Sequence, residues 1–241
     1  MARSGGELKT LARSERWIAM DRPSGVPLAE VAAFAADSAG AGDEASVAAR
    51  FLPVHRVELE GSGLVLLALD SAFRDDFRTQ RAGDHAKFFW DVLVTGYMLE
   101  EQGEIVAPLY FDKRTNRVEA VRQRGETATT RYRIIERLPG HTLLECEPVE
   151  DRPQQIRAHL ASLGFPVAGD AMYGSGEPLR LSDFKRNYRP STRREELPLL
   201  NRLGMHARRV TFVDPESRET IALEAPHQKD FLATIRQLRK L

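Results

Sequence analysis

The stretch His55-Arg56-Val57-Glu58-Leu59-Glu60-Gly61-Ser62-Gly63-Leu64 runs straight into an apolar segment, Leu64 to Leu69, bounded by Gly63 and Asp70. A continuous apolar run this short, punctuated at both ends, reads as a buried strand rather than an isolated helix. The polar half of the stretch therefore stands at the entrance to a core strand. If that strand is regular, the Val57/Leu59 alternation puts Glu58 and Glu60 on one side. Gly61-Ser62-Gly63 has neither the lysine nor the spacing of a phosphate loop.

Working outward, Arg16 to Met20 reads as a short strand and Asp21-Arg22-Pro23-Ser24-Gly25 as the turn after it. Residues 28 to 37 are Ala-rich without Gly or Pro and suit a helix, ended by Gly40-Ala41-Gly42-Asp43. Residues 71 to 80 predict an amphipathic helix, with Ser71 as N-cap and Phe73 and Phe77 four apart. Strands are expected at Phe88 to Val94, Arg117 to Arg122, Thr127 to Glu136 and Thr142 to Val149, with turns at Gly125 and Pro139-Gly140-His141. Helical spacing returns over Pro153 to Leu163, where Pro153 suits the first turn and Gly164 the stop. Residues 175 to 202 read as a basic loop, 206 to 213 and 220 to 224 as a last hairpin, and Lys229 to Arg239 as a terminal helix. Strands in the middle with helices at intervals argue for an α+β fold with a mostly antiparallel mixed sheet flanked by helices.

The 241 residues suit one domain, and 42% hydrophobic with 29% charged residues is the composition of a globular protein. No apolar run reaches the length of a membrane span and the N-terminus has no apolar core, so the chain is expected to be cytoplasmic. The single cysteine, Cys146, lies in Leu143-Leu144-Glu145-Cys146 and reads as buried filler. Formal charge balances at zero, yet residues 1–151 hold 19 Lys and Arg against 25 Asp and Glu, leaving 16 against 10 for residues 152–241. Such asymmetry suits an anionic partner; a solvated charged surface explains it equally well. No histidine is spaced with Cys, Asp or Glu to suggest a metal, and His159 and His206 read as structural.

The opening stretch resembles the signature His-Arg-Leu-Asp-x-x-(Thr/Gly)-Ser-Gly-Leu of the RluA-type RNA pseudouridine synthases, with Glu58 at the position of their aspartate. Further similarities follow in order: Arg22-Pro23-Ser24-Gly25 to Lys-Pro-x-Gly, Lys87-Phe88-Phe89 to Lys-x-Tyr, and Thr130-Arg131-Tyr132-Arg133-Ile134 to Thr-x-Tyr-x-Val. Arg152-Pro153-Gln154-Gln155-Ile156-Arg157-Ala158-His159-Leu160 is similar to Arg-Thr-His-Gln-Ile-Arg-x-His-Leu, and residues 164 to 174 to Gly-x-Pro-x-x-Gly-Asp-x-x-Tyr-Gly. Met205-His206-Ala207 and Glu224-Ala225-Pro226 complete a resemblance that covers about residues 16 to 235. It implies a single pseudouridine synthase domain over residues 1–241, with no separate N-terminal RNA-binding module.

By that resemblance the chain isomerises uridine in ribosomal or transfer RNA. No cofactor is implied, because the leaving uracil is itself the returning nucleophile. The site needs a carboxylate at C1′, a way to take the base from its stack, and exclusion of water. Glu58 is implied as the carboxylate and Arg157 as the arginine that pairs with it; an exposed strand-end glutamate and a surface arginine are the competing readings. Arg56 is implied to replace the flipped base, against a phosphate contact or an ordinary salt bridge, and Phe89 to stack on uracil without the tyrosine hydroxyl. His55, Lys87, Arg152, Gln154 and Gln155 sit at motif positions expected to contact RNA. Arg186, Arg189, Arg193 and Arg194 belong to a segment, Arg180 to Arg209, with nine basic against three acidic residues, suited to tracking phosphates or to solvation alone. Asp151, Pro153 and Gln154 replace a glycine, a threonine and a histidine. A monomer without metal is expected, and a catalytically silent RNA-binding protein of the same fold is the alternative; a structural domain that no longer sees RNA comes last.

Overall fold

The computed structural model describes residues 6–39, 51–185, 188 and 195–241. The Gly40 to Asp43 helix stop and Arg186, Arg189, Arg193 and Arg194 lie outside the described residues. Two compact units share the chain, one made of residues 1–90, 149–151 and 206–226, the other of 91–148, 152–205 and 227–241.

In the first unit, β1 (Lys9–Arg13) pairs antiparallel with β2 (Trp17–Arg22), and β2 pairs antiparallel with β4 (Ser62–Ala68). The short β3 (Leu52–Pro53) also lies on β4. All seven residues of β4 are buried, as a strand covered on both faces requires. Helix α1 (Leu28–Ala39) sets Val31, Ala32, Ala35 and Ala36 against Ile18, Met20, Val65 and Leu67. Each buried leucine, isoleucine or valine here contributes roughly 1.5–3 kcal/mol.

Helix α2 (Ser71–Ala82) buries Phe73 and Phe77, both about 5.8 Å from the ring of Phe212. Its N-cap is Asp70 rather than Ser71: the Asp70 carboxylate accepts from Phe73 N at 2.7 Å while Arg16 grips both its oxygens at 2.9 Å. A carboxylate at a helix N-terminus with a second partner of its own displaces a hydroxyl cap.

The last hairpin forms as expected: β11 (Met205–Val213) pairs antiparallel with β12 (Thr220–Glu224). Its start pairs parallel with β4, His206 opposite Ser62 and Ala207 opposite Gly63. A Cβ on Gly63 would stand 2.3 Å from Ala207 O, and its φ of +105° already favours glycine, so this close approach accounts for the Gly-Ser-Gly and Met-His-Ala segments together. Strand β5 (Lys87–Thr95) belongs to the first unit as far as Trp90 and to the second from Asp91.

In the second unit, β9 (Thr129–Leu138) lies antiparallel between β10 (His141–Pro148) and β6 (Gln102–Val106), and β7 (Leu109–Asp112) pairs with β8 (Arg117–Ala120). The expected turn joins β9 to β10, with Gly140 at φ +70°. Helix α3 is shorter than its periodicity predicts, Gln155–Ser162, because Gln154 adopts a left-handed conformation (φ 53°) and leaves Pro153 outside the helix. Helix α4 (Lys229–Leu238) packs Phe231, Ile235 and Leu238 on Leu93, Leu138 and Leu143.

Strands with intervening helices in both units are the α+β class expected. Cys146 is fully buried, and burial pushes its thiol well above the ordinary range, so it is the filler predicted. Strands β1, β3, β6 and β7 were not legible: five residues such as Gln102-Gly103-Glu104-Ile105-Val106 carry too little alternation. Among the described residues, no helix is long and apolar enough to cross a membrane, and no group of three or more His, Cys, Asp or Glu could hold a metal.

Candidate active site

Glu58 does not lie on a regular strand. It precedes a tight turn, closed by Gly61 N donating to Glu58 O at 3.0 Å, between β3 and β4. The turn is clamped from below by Arg22, which is 1% exposed. Its Nη2 donates to Glu58 O (2.7 Å) and Gly61 O (2.8 Å), its Nη1 to Leu59 O (3.1 Å) and Val26 O (3.0 Å). Ser24 Oγ donates to Glu60 O at 2.7 Å and Gly25 N to Leu59 O at 2.8 Å. The Arg-Pro-Ser-Gly turn therefore serves as a scaffold on which the backbone of residues 58 to 61 is laid.

The histidine and arginine ahead of Glu58 divide the work between core and surface. His55 is 4% exposed and stacks on Phe88 with ring centroids 4.0 Å apart. Leu66 N donates to its Nε2 (3.3 Å), which leaves Nδ1 protonated to donate to Arg56 O (3.0 Å). Burial first, then the nearby Arg81 charge, lowers its pKa to about 3, so the ring is neutral. The expected RNA contact at His55 is replaced by a structural role, since both ring nitrogens are spent inside the protein. Arg56 is exposed, and Asp151 fixes its backbone: both carboxylate oxygens accept from Arg56 N (3.1 and 3.0 Å), and Arg56 Nε donates to Asp151 O (2.9 Å).

This burial carries a pH signature. Between pH 6.5 and about 3 the unfolded chain protonates His55 and the folded chain does not. Stability is therefore fully present above the ordinary histidine pKa and falls with acidification, by up to about 1.4 kcal/mol per pH unit. Urea unfolding between about pH 7 and pH 4 is expected to show this slope in the wild type and a flatter one in His55→Gln. Equal slopes would remove His55 from the account.

Phe89 is half-buried, and the Arg209 guanidinium lies over its ring, 4.0 Å from the centroid. Lys87 Nζ is 3.0 Å from Asp84 Oδ2, an ion pair on the surface.

In the second unit, Arg157 is buried on α3 and pairs in a fork with fully buried Asp170, Nε to Oδ2 at 2.8 Å and Nη2 to Oδ1 at 2.7 Å. Asp170 Oδ1 also accepts from Met172 N (2.9 Å) and Tyr173 N (3.1 Å), which ties the Gly-Asp-x-x-Tyr segment to the helix. Burial raises the Tyr173 hydroxyl to about 12, and this hydroxyl donates at 2.6 Å to Val118 O or Gln154 Oε1.

Gln154 Oε1 also accepts from Val118 N (3.1 Å), and its Nε2 donates to Asn116 O (3.3 Å). Gln155 is buried, accepting from Arg152 N (3.0 Å) and donating to Thr129 O (3.0 Å). Buried Gln155 thus holds α3 to β9 instead of presenting its amide to RNA, while partly buried Gln154 bonds to the β8 segment. Arg152 pairs with Glu126 and donates through Nε to Thr127 O at 3.3 Å. Glu58, Arg56, His55, Phe89 and Lys87 thus fall in one unit and Arg157, Arg152, Gln154 and Gln155 in the other. His159 and His206 are fully buried, bonded to Thr130 Oγ1 (2.8 Å) and Ser62 Oγ (3.0 Å), as structural histidines.

Sequence reasoning missed three arginines. Arg74, Arg78 and Arg81 of α2, with Arg56, Val57 and Asp151, line a cleft of about 540 Å³ in the first unit. Their i, i+4, i+7 spacing was the available signal, overshadowed by Phe73 and Phe77 on the same helix.

Comparison with known families decides the lineage of this constellation. The family described as RNA pseudouridylate synthase matches residues 16–162, a span that holds the Arg22 clamp, Glu58 and Arg157. The chain belongs to this family. Among relatives, the dual-specificity RNA pseudouridine synthase RluA of Pasteurella multocida is 30% identical over 176 residues, covering 72% of each chain. The ribosomal large subunit pseudouridine synthase D of Nitrosomonas europaea is 32% identical over 188 residues, 78% of this chain but 51% of that protein. The chain thus spans about half the length of some curated relatives. Human RNA Pseudouridylate Synthase Domain Containing 4 superposes with a TM-score of 0.69 over 95% of this chain and 92% of that one, at 16% identity, and so shares the pseudouridine synthase fold.

Proposed function

We propose that this protein is an RNA pseudouridine synthase that isomerises uridine to pseudouridine in ribosomal or transfer RNA, with Glu58 as the carboxylate at C1′. The supporting observation is the buried Arg22 fork on the carbonyls of Glu58, Leu59 and Gly61. A carboxylate acting on C1′ needs a backbone that does not drift, since about 1 Å of misplacement costs on the order of 100-fold in rate. The C1′–N1 bond breaks, uracil turns, and C1′–C5 forms; C5 loses its proton and N1 gains one, so substrate and product are isomers and no cofactor is required. Arg157 is assigned to the chemistry on its motif position, and Arg56 and Phe89 to replacing and stacking on the base.

Pseudouridine mapping in ribosomal and transfer RNA from cells lacking the gene, with and without the wild-type copy, tests the assignment. At least one site restored by the wild type is the expected result; none in either RNA class refutes it. The alternative, an RNA-binding member without activity, draws on Arg209 covering the ring of Phe89 at 4.0 Å, and predicts RNA binding with no site restored.

A further inference from the structure

We propose that Arg74, Arg78 and Arg81, in the cleft beside Arg56, grip the phosphodiester backbone of RNA, an inference that rests on the RNA-modifying reading above. On α2, Phe73 and Phe77 are buried while Arg74, Arg78 and Arg81 recur at i, i+4 and i+7, so one helix carries a core stripe and a cationic stripe. The cleft brings these three together with exposed Arg56.

The acidic groups present do not cancel this charge. Asp151 spends both oxygens on the backbone N–H of Arg56 and stands 3.8 Å from Arg81 Nη1. Asp75 lies 3.6 Å from Arg74 Nε and 3.5 Å from Arg78 Nη1. Arg74 Nε is buried and makes no hydrogen bond, its contact with Asp75 at 3.6 Å being an ion pair only. Arg81 is the anchor: its Nη2 donates to Glu150 O at 2.8 Å and its guanidinium lies 5.7 Å from the Phe88 ring centroid. Guanidinium groups match phosphate oxygens in fork geometry, and arginines one helical turn apart suit successive phosphates of a strand. Leu28, Pro53, Val54 and Val57 form the apolar part of the cleft wall, and the arginines supply its charged part; contacts from guanidinium groups to phosphates are independent of sequence.

The test measures affinity of the full chain for a fluorescein-labelled single-stranded RNA of mixed sequence, about 20 nucleotides long, between about 50 and 200 mM salt. Arg74→Ala/Arg78→Ala is expected to bind roughly 10-fold more weakly, with a salt slope lowered by about 1.4, two phosphates at about 0.7 each. Arg78 is 73% exposed, so the single variant Arg78→Glu reads the same effect without disturbing the fold, which an unchanged melting temperature verifies. Wild-type binding with unchanged affinity and slope in both variants overturns the inference and leaves the proposed function standing. Saturation by inorganic phosphate alone, with RNA affinity unaffected by either variant, also overturns it in favour of a small-anion site. Failure of the wild type to bind RNA sinks the parent reading and this one together.

Discussion

Glu58→Ala is expected to lower the rate of pseudouridine formation by at least about 10³-fold, with the fold intact. Glu58 is half-buried at the head of a turn whose backbone bonds come from Arg22, Ser24 and Gly25, none of which uses the glutamate carboxylate in these contacts. Truncation should therefore remove the reacting group and leave the turn. Glu58→Gln keeps the size and loses the charge, so it is expected to match alanine. Glu58→Asp keeps the charge and shortens the arm by about 1 Å, which places its loss near 10²-fold. Single-turnover kinetics with saturating enzyme separate the three from any change in RNA affinity. An alanine variant as fast as the wild type would remove Glu58 from the chemistry.

Arg22→Ala is expected to cost about 3–5 kcal/mol of stability. Removing the guanidinium leaves the carbonyls of Val26, Glu58, Leu59 and Gly61 without this donor in a place where Arg22 itself is 1% exposed. Each buried acceptor so abandoned costs about 1–3 kcal/mol, and a small side chain adds a cavity. For a chain of this size the melting temperature should fall by on the order of 10 °C. Arg22→Lys keeps a cation but replaces the planar fork with one ammonium, so it is expected to recover part of the stability. Activity in that variant should fall further than stability does, because the turn carrying Glu58 loses its frame. A loss under about 1 kcal/mol for Arg22→Ala would show that the clamp does not hold the turn.

The elements that declare themselves in sequence are those whose local pattern and final burial agree. Leu64 to Leu69 reads as a buried strand because every residue there is apolar, and β4 is buried throughout. The Phe73/Phe77 pair announces α2 for the same reason. Where a side chain's job depends on chain segments far away, the pattern is silent. Arg22 reads as a turn residue, since nothing nearby in sequence tells that its donors meet carbonyls some 36 to 39 positions later. His55 and Gln155 stand next in sequence to candidate site residues and were expected to face RNA, yet burial turns them to structural use. The left-handed Gln154 hides as well: its side-chain bonds to β8 offset the backbone strain, and the helix begins two residues after Pro153.

The departures from the family pattern acquire different weights in the structure. Asp151, in place of a glycine, gives the Arg56 backbone its two acceptors. Gln154, in place of a histidine, anchors β8 to α3. Under the proposed function, Glu58 is the departure on which the reaction depends.

Release of tritium from RNA labelled at uridine C5 tests that dependence most directly, because it reports exchange at C5 without knowledge of the modified site. The wild-type chain, incubated with ribosomal and transfer RNA so labelled, is expected to release tritium, and Glu58→Ala to release none above background. No release by the wild type from either RNA would contradict the account, as would release that survives the loss of Glu58.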